Sequence, residues 1–272
     1  MVARDAYAKI KNGWFLGAFM LKVIFLIRVK TEQPHRRQLN TIEDPSMPHI
    51  RHGSSIPDLL DLIEQGEGLC IEFKRLIHSA PKIARSIVAF ANTSGGVILI
   101  GVDDDSRIVG IQSEKETLEV IDEALRHHIE PRPQVGVSVE EYKRRMILLV
   151  DIPESSERPH FHIEHVMCRE SGKRTLERRV FIREGSHNKA ATEDRIALMI
   201  SSKTPVRISF TDRERRLLDY LAVHELITAG QFAEGAGISI EEARRVLVSL
   251  VRSGTLRLVT EGKNSFYALS IT

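Results

Sequence analysis

The stretch of residues 66–110 contains two strand-like runs with a helix between them. In the first run, 69–74, apolar and polar residues alternate, which is typical of a strand with one buried face. The second run, 97–102, is continuously apolar, as expected for a strand in the centre of a sheet. Pro81 suits the first turn of the intervening helix, and a glycine pair ends that helix. A chain with this order of elements needs a sheet with at least one helix packed against it.

The same hydrophobic periodicities predict further elements on both sides of this stretch. Helices are predicted at 56–65, 113–129 and 192–201, and strands at 135–139, 146–152, 161–167 and 179–183. Helices and strands are thus mixed along the chain. We predict an α+β domain with a mixed sheet over residues 51–203.

Beyond residue 207 the pattern changes to that of a small helical module. Thr211 followed by Glu214 predicts a capping box at the start of an amphipathic helix. A short helix at 229–236, a longer helix at 240–252 and a β-hairpin at 256–269 follow. This is the order of elements in a winged helix-turn-helix, with 240–252 as its recognition helix. We therefore predict a winged-helix domain at 207–272.

Residues 1–50 form a separate region. Residues 14–27 are apolar apart from Lys22, and a polar linker follows them. This apolar run is shorter than the ~20 residues that span a bilayer. Three interpretations stay open: an extension upstream of the native start, with Met47 as an alternative initiator; a weak membrane anchor; or a helix that packs on a partner.

The composition indicates a globular protein without a strong electrostatic field. Apolar residues make up 42% and charged residues 28% of the chain, which is ordinary for a globular protein. Residues 1–50, 51–200 and 201–272 hold 8, 21 and 10 basic and 4, 25 and 8 acidic side chains, so their net charges are +4, −4 and +2. Binding to nucleic acid must therefore come from local patches of charge.

The chain has two cysteines, Cys70 and Cys168. Two cysteines on different predicted strands form no disulfide framework, and no CxxC pair suggests zinc. We expect both to be small buried residues. This usage fits a reducing cytoplasm, which is the predicted location.

Acidic residues near the two strands are candidates for a metal site. Glu67 precedes the first strand, Glu72 lies in it, and Asp104 follows the second. Hard oxygen ligands of this kind bind Mg²⁺ or Mn²⁺, and a cation such as Lys74 helps to hold a phosphate. The glycines beside Glu67 permit a bend that would bring it round to the face of Glu72. These four residues could form a metal-nuclease site, although acids in a turn after a strand are also ordinary.

The chain resembles a known family in four motifs. They are GEGLCIEFKR, AFANTSGGVILIGVDDDSRIVGI, RPHFH and FIREGSHNKA. In order and spacing they resemble the Schlafen AlbA-like DNA-binding domain over roughly residues 55–200. Such domains occur in bacterial and archaeal proteins that resemble transcriptional regulators, often with a winged helix after them.

The resemblance also implies an alternative function. In the Schlafen proteins that cut RNA, the catalytic carboxylates stand at the motif positions of Glu67, Glu72 and Asp104. The alternative is therefore a Mg²⁺- or Mn²⁺-dependent endoribonuclease for structured RNA, and no other cofactor is expected. Because those nucleases use a duplicated domain as a clamp, a single copy would require a homodimer. ATP hydrolysis is not expected, because no GxxxxGK[ST] motif is present to hold phosphates.

Two places are candidates for contacts with nucleic acid. The first surrounds the glycine of FIREGSHNK, where backbone N–H groups and cations suit phosphate. The second is the predicted recognition helix with its wing. The candidates are Arg183, Ser186 and Lys189 in the first place and Arg244, Arg245 and Lys263 in the second.

The sequence H-x-H-x-x-H at 160–165 has two interpretations. Alternation along a strand puts His160 and His162 on one face, where a transition metal could bridge them. A surface strand explains the same residues equally well.

Taken together, these features predict a cytoplasmic DNA- or RNA-binding protein that regulates transcription as a homodimer. The endoribonuclease is the alternative. A second alternative is an effector-binding domain that dimerises through the winged helix.

Overall fold

The computed structural model describes residues 49–50, 59–167, 174–206 and 210–270. They fall into two compact units, and the chain passes from the first to the second between Lys203 and Thr204. This division lies between the two predicted domains, 51–203 and 207–272. The predictions for the apolar run 14–27 and for Met47 lie outside the described residues.

The first unit contains four helices and ten strands among its described residues. The helices are α1 (Leu59–Gln65), α2 (Ala80–Ala91), α3 (Glu114–His127) and α4 (Glu193–Ser201). The strands are β1 (His49–Ile50), β2 (Ile71–Lys74), β3 (Gly96–Ile100), β4 (Ile129–Glu130), β5 (Gly136–Tyr142), β6 (Arg145–Ile152), β7 (Phe161–Met167), β8 (Arg174–Arg179), β9 (Phe181–Glu184) and β10 (His187–Ala190).

Five strands form a mixed sheet in the order β1-β5-β6-β3-β2. β2 runs parallel to β3, and β3 and β5 run antiparallel to β6. The apolar strand β3 lies inside the sheet, as its sequence predicts, whereas β2 lies at the edge. The predicted α+β fold with a mixed sheet is confirmed.

Helices pack on both faces of this sheet. On one face, α2 contributes Ile83, Ile87 and Phe90 to a core that includes alternate residues of β3 and β6. On the other face, α1 packs Leu59 and Leu62 against a smaller core. Because side chains alternate along a strand, Phe73 of β2 faces the α1 side while Glu72 faces α2. An acidic side chain is thus directed into the apolar layer between the sheet and α2.

The predicted strand at 179–183 is wrong in its bounds. β8 ends at Arg179 and pairs with β7, while β9 begins at Phe181 and pairs with β10. Val180, between them, is buried, and its carbonyl accepts a hydrogen bond from the backbone of Ala191. The chain leaves one sheet and enters another at this point, and such a change of sheet has no signature in the alternation of residues.

In its described residues, the second unit contains three helices and a hairpin. These are α5 (Asp212–His224), α6 (Ala229–Ala236), α7 (Ile240–Arg252), β11 (Leu256–Glu261) and β12 (Asn264–Leu269). The capping box predicted at Thr211 and Glu214 is present. Ile227 forms an isolated antiparallel bridge with Tyr267 of β12. All three helices and the hairpin contribute to one apolar core, in which Leu247 of α7 has no exposed surface.

Two further sequence expectations concern exposure. Cys70 is exposed rather than buried, because it precedes β2 at the edge of the sheet. Cys168 lies outside the described residues. Within the described ranges, no helix has both the length and the apolar character needed to cross a membrane.

Candidate functional site

Four side chains from four elements close a hydrogen-bonded ring on the α2 face of the sheet. One carboxylate oxygen of Glu72 (β2) accepts from Arg183 of β9, with 2.5 Å between Nη1 and Oε2. The other accepts from the Ser86 hydroxyl of α2 at 2.7 Å. Asn188 of β10 completes the ring, because its amide nitrogen donates to Ser86 at 2.9 Å and its amide oxygen accepts from Arg183 at 2.9 Å.

The ring is buried, and its charges are paired inside the protein. Glu72 is 4% and Arg183 0% exposed in their side chains. The Arg183 guanidinium also donates to the carbonyl of Gly68 at 2.6 Å and lies over the ring of Phe90, 4.5 Å from its centroid. A buried ion pair is stable only when hydrogen bonds satisfy the remaining polar atoms. Here neighbouring residues accept from both Nη atoms of Arg183, whereas its Nε is buried without a hydrogen-bond partner among the described residues. The ring therefore ties β2, α2 and the β9–β10 hairpin together.

Ser86 belongs to the ring but lies in none of the sequence motifs. The signal was present, because Ser86 lies among Ile83, Ile87 and Phe90 on the buried side of an amphipathic helix. A polar side chain in such a place needs a partner. Asn188 lies in the motif FIREGSHNK, whose cations and backbone N–H groups suggest phosphate contacts, but its amide is directed into the ring instead.

Lys74 and Glu67 lie at the edge of the same sheet. The Lys74 ammonium is 2.8 Å from Oε1 of Glu72 and donates to the carbonyl of Phe73 at 3.0 Å. Glu67 accepts a hydrogen bond of 2.7 Å from the backbone N–H of Phe73. The bend at Glu67 that the glycines permit thus brings its carboxylate to the backbone of β2.

Asp104 lies in a tight turn after β3. Val102 and Ile108 form an antiparallel bridge, and the carboxylate of Asp103 accepts from the backbone N–H groups of Asp105 and Arg107. Asp103 is therefore a turn-forming residue, the ordinary interpretation of acids after a strand. Asp104 itself is exposed.

Glu67, Glu72 and Asp104 are not assembled as metal ligands in this structure. Among the described residues, no group of three or more His, Cys, Asp or Glu side chains is placed to hold a metal ion. Glu72 accepts from cationic and hydroxyl donors on both oxygens, so it offers no free oxygen pair to a cation. The donor set therefore does not fit Mg²⁺ or Mn²⁺ as it stands, and the catalytic role of these residues stays a prediction.

The first group of candidate nucleic-acid contacts divides into buried and exposed members. Arg183 has no exposed side-chain surface, so a contact between it and a phosphate is not compatible with the ring. Ser186 is exposed in the two-residue turn between β9 and β10, beside Gly185. Lys189 is 52% exposed and pairs with Glu184 at 2.6 Å. An exposed pair of this kind is weak, which leaves Lys189 able to exchange its partner.

The second group lies on α7 and on the hairpin that follows it. Arg245 and Lys263 are exposed, and Arg244 is half-buried. Glu242, in the first turn of α7, pairs with Arg213 of α5 at 2.5 Å. This contact joins two helices and neutralises Glu242, one of two acids, with Glu241, in the first turn of α7 whose charge would repel a phosphate.

His160 and His162 are buried, so the surface-strand interpretation is wrong. His160 is 0% and His162 2% exposed. The Nδ1 of His160 lies 2.6 Å from the carbonyl of Pro131, and the Nε2 of His162 lies 2.8 Å from that of Pro81. Each carbonyl requires a ring N–H as donor. Burial lowers the pKa of both residues, and the hydrogen bonds to the carbonyls oppose that shift.

One comparison bears directly on the α+β domain that holds these motifs. Residues 67–192 match the model of the family Schlafen, AlbA_2. The match spans all four members of the ring. It supports the AlbA-like domain that the motifs predict.

Two known structures are similar to parts of the chain. The N-terminal domain of a RecG-related protein from Nitrosomonas europaea is 23% identical, with a TM-score of 0.32, over 36% of this chain and 76% of that one. The DIP2311 protein from Corynebacterium diphtheriae is 15% identical, with a TM-score of 0.37, over 74% of this chain and 34% of that one. The chain thus spans about a third of the DIP2311 chain. Comparison with curated proteins gave no match.

Proposed function

We propose that this chain binds nucleic acid and acts as a DNA-binding transcriptional regulator. The observation that carries the proposal is the arrangement of the second unit. α7 buries Ala243, Leu247 and Leu250 in the core, while Arg245 on its other side is exposed. The hairpin after it exposes Lys263 in its turn.

This arrangement supports a winged helix-turn-helix at residues 207–272. α6 and α7 are joined by a short turn at Gly237, whose φ of 64° is a conformation that favours glycine. The bridge from Ile227 to Tyr267 places a third extended segment beside the hairpin. In such a module the second helix of the pair enters the major groove and the hairpin contacts the phosphate backbone.

In the first unit, the family match supports nucleic-acid binding, while the net charge limits how strongly this unit alone can bind. Its match to the Schlafen AlbA_2 family agrees with the DNA-binding domain that the motifs resemble. Its net charge of −4 over residues 51–200 argues against broad electrostatic binding. We therefore expect the second unit to supply sequence selectivity, and the protein to act in the cytoplasm as a homodimer.

The proposal is tested by selecting DNA on the wild-type protein. A random duplex library is enriched on the purified full chain, and the affinity for the selected duplex is measured by fluorescence anisotropy at several salt concentrations. Removing both side chains in the variant Arg245→Ala/Lys263→Ala is expected to weaken binding by about 10- to 100-fold, because a base contact and a phosphate contact are lost. The slope of log K against log salt should fall by about 1.

The matched control is the variant Arg215→Ala/Arg216→Ala. Both residues are exposed on α5, and this variant also removes two positive charges. An equal loss of affinity in this control would show a general charge effect and contradict the assignment to α7 and the hairpin. Absence of any selected duplex would contradict the proposed function itself.

The endoribonuclease alternative has its own test. Structured RNA such as tRNA is incubated with the full chain and Mn²⁺, with and without EDTA. Asp104 is the suitable residue to change, because it is exposed and its replacement by Asn leaves the buried ring intact. Cleavage that requires Mn²⁺ and is lost in Asp104→Asn would favour this alternative over regulation.

A further inference from the structure

β2 is the last strand of the five-stranded sheet, and its backbone groups on the inner side pair with β3. The carbonyls of Cys70 and Lys74 accept from the backbone of Val97 and Gly101 on the β3 side. Since backbone groups alternate in direction along a strand, those of Ile71 and Phe73 point to the outer edge. In the described part of the chain, no strand pairs with that edge. An open edge of this kind is a template for another strand.

Local contacts occupy three of these outward backbone groups. The carbonyl of Ile71 accepts from the backbone N–H of Gly68 at 2.9 Å. The N–H of Phe73 donates to the carboxylate of Glu67 at 2.7 Å, and the carbonyl of Phe73 accepts from the ammonium of Lys74 at 3.0 Å. An incoming strand would need the same groups for its own hydrogen bonds.

The buried ring holds both charged side chains in these positions. Arg183 donates to the carbonyl of Gly68, the residue next to Glu67, at 2.6 Å. Lys74 is 2.8 Å from the carboxylate of Glu72. The turn before β2 and the last residue of β2 are therefore fixed from inside the domain.

Apolar residues beside this edge would favour pairing if it were open. Leu69 is 43% and Leu76 37% exposed, and they flank β2 on its two sides along the chain. A second copy of the chain presents the same edge and the same two leucines. Pairing of two such edges would bury apolar surface and extend the sheet across both copies.

We propose that Glu67 and Lys74 close the outer edge of β2, so that two copies of this chain do not join their sheets. The two residues act as charged caps on the backbone of Phe73. This role belongs to the first unit and does not depend on whether the protein binds DNA. It also differs from the catalytic role that the sequence suggests for the same residues.

The test removes both caps and measures self-association. The variant Glu67→Ala/Lys74→Ala is compared with wild type by sedimentation velocity over a range of concentrations. We expect a higher oligomeric state than that of wild type, whatever the wild-type state is. The matched control, Glu64→Ala/Lys82→Ala, changes the same two residue types at exposed positions on α1 and α2 and should sediment like wild type.

A spin label on Cys70 identifies the interface. Cys70 is exposed and directly precedes β2; Cys168 is changed to Ser in every sample so that one label is present per chain. Short distances between labels are expected in the double variant but not in the control. A folded double variant with the wild-type sedimentation coefficient and no short label distance would overturn the proposal.

Hydrogen exchange on the wild-type protein gives a test that no folding defect can obscure. If Glu67 caps the edge, the amide of Phe73 exchanges slowly, as a hydrogen-bonded amide does. The slow exchange should persist in Glu67→Gln, whose side-chain oxygen can still accept, and be lost in Glu67→Ala. Exchange of the wild-type Phe73 amide at the rate of an unprotected amide would overturn the proposal.

Discussion

Glu72 is the residue at which two distant motifs meet. It belongs to IEFK, while its partner Arg183 belongs to FIRE, 111 positions away. Arg183 is fully buried and depends on Glu72 as its charge partner, whereas Glu72 also has the Lys74 ammonium beside it. A buried ion that loses its partner costs far more than an exposed one, because water cannot replace the lost contact.

We predict that Glu72→Ala lowers the free energy of unfolding by about 3–5 kcal/mol. The loss arises because Arg183 is left as an unpaired buried charge and Ser86 loses its acceptor. Urea denaturation of the full chain measures it. Glu64→Ala, on the exposed side of α1, should change stability by less than about 0.5 kcal/mol.

The coupling between the two charges separates this explanation from a simple packing loss. In a double-mutant cycle, Glu72→Ala/Arg183→Ala should cost clearly less than the sum of the two single changes. Strict additivity would contradict the ring as the source of the loss.

His160 and His162 predict how stability depends on pH. Burial lowers the pKa of each in the folded state below its ordinary value, while in the unfolded chain it is about 6.5. The unfolded chain therefore binds protons first as the pH falls. Stability is fully present above about pH 6.5 and is lost as the pH falls toward the lowered folded-state pKa.

Urea denaturation between about pH 8 and about pH 5 measures the free energy of unfolding on both sides of the unfolded-state histidine pKa of about 6.5, where the loss should begin. The variants His160→Gln and His162→Gln should each show a smaller loss of stability across that range than wild type, because one titrating group is removed. If both variants lose stability as steeply as wild type, other groups account for the acid sensitivity.

At the scale of elements, the junction of α2 with β3 leaves no room for a side chain at Gly96. Gly96 has a φ of 154°, and a Cβ there would lie 2.4 Å from the carbonyl oxygen of Cys70 and 2.6 Å from the ring of Phe90. The two neighbours are fixed, because the carbonyl pairs with Val97 and the ring lies under Arg183. The glycine pair thus permits the close approach of β2, α2 and β3.

We predict that Gly96→Ala lowers the free energy of unfolding by more than about 2 kcal/mol, from overpacking and backbone strain. Gly68→Ala is the matched control, because no atom lies within 4 Å of its Cβ position and its φ is outside the left-handed region. That change should be neutral or stabilise by up to about 1 kcal/mol. Urea denaturation measures both, and equal effects would contradict the steric argument.

For the whole molecule, the sequence predicted which segments are helices or strands better than it predicted which strands pair with each other. Two helices of the second unit have the predicted bounds, because their N-caps, Thr228 and Ser239, and the glycine turn between them act locally. The position of β2 at the sheet edge could not be predicted, since pairing joins residues far apart in sequence. The change of sheet at Val180 was missed for the same reason.

The motifs contain most residues of the candidate site but did not predict how they combine. Glu72, Lys74, Arg183 and Asn188 lie in two motifs and come together, whereas Ser86 lies outside the motifs. Their role was not predicted, because residue types that suit a metal or a phosphate also suit a buried ion pair. The complete burial of Arg183 and the partners of its hydrogen bonds distinguish a buried ion pair from a phosphate contact.

The sequence by itself determined the helices, the longer strands and the capping turns, since caps, glycines and alternation act between residues a few positions apart. It also determined the resemblance to the Schlafen AlbA-like domain. The tertiary structure decided which charged groups are buried and which remain exposed. It did so because burial depends on contacts between distant segments, and the cost of an unpaired charge inside the protein brings Glu72 and Arg183 together.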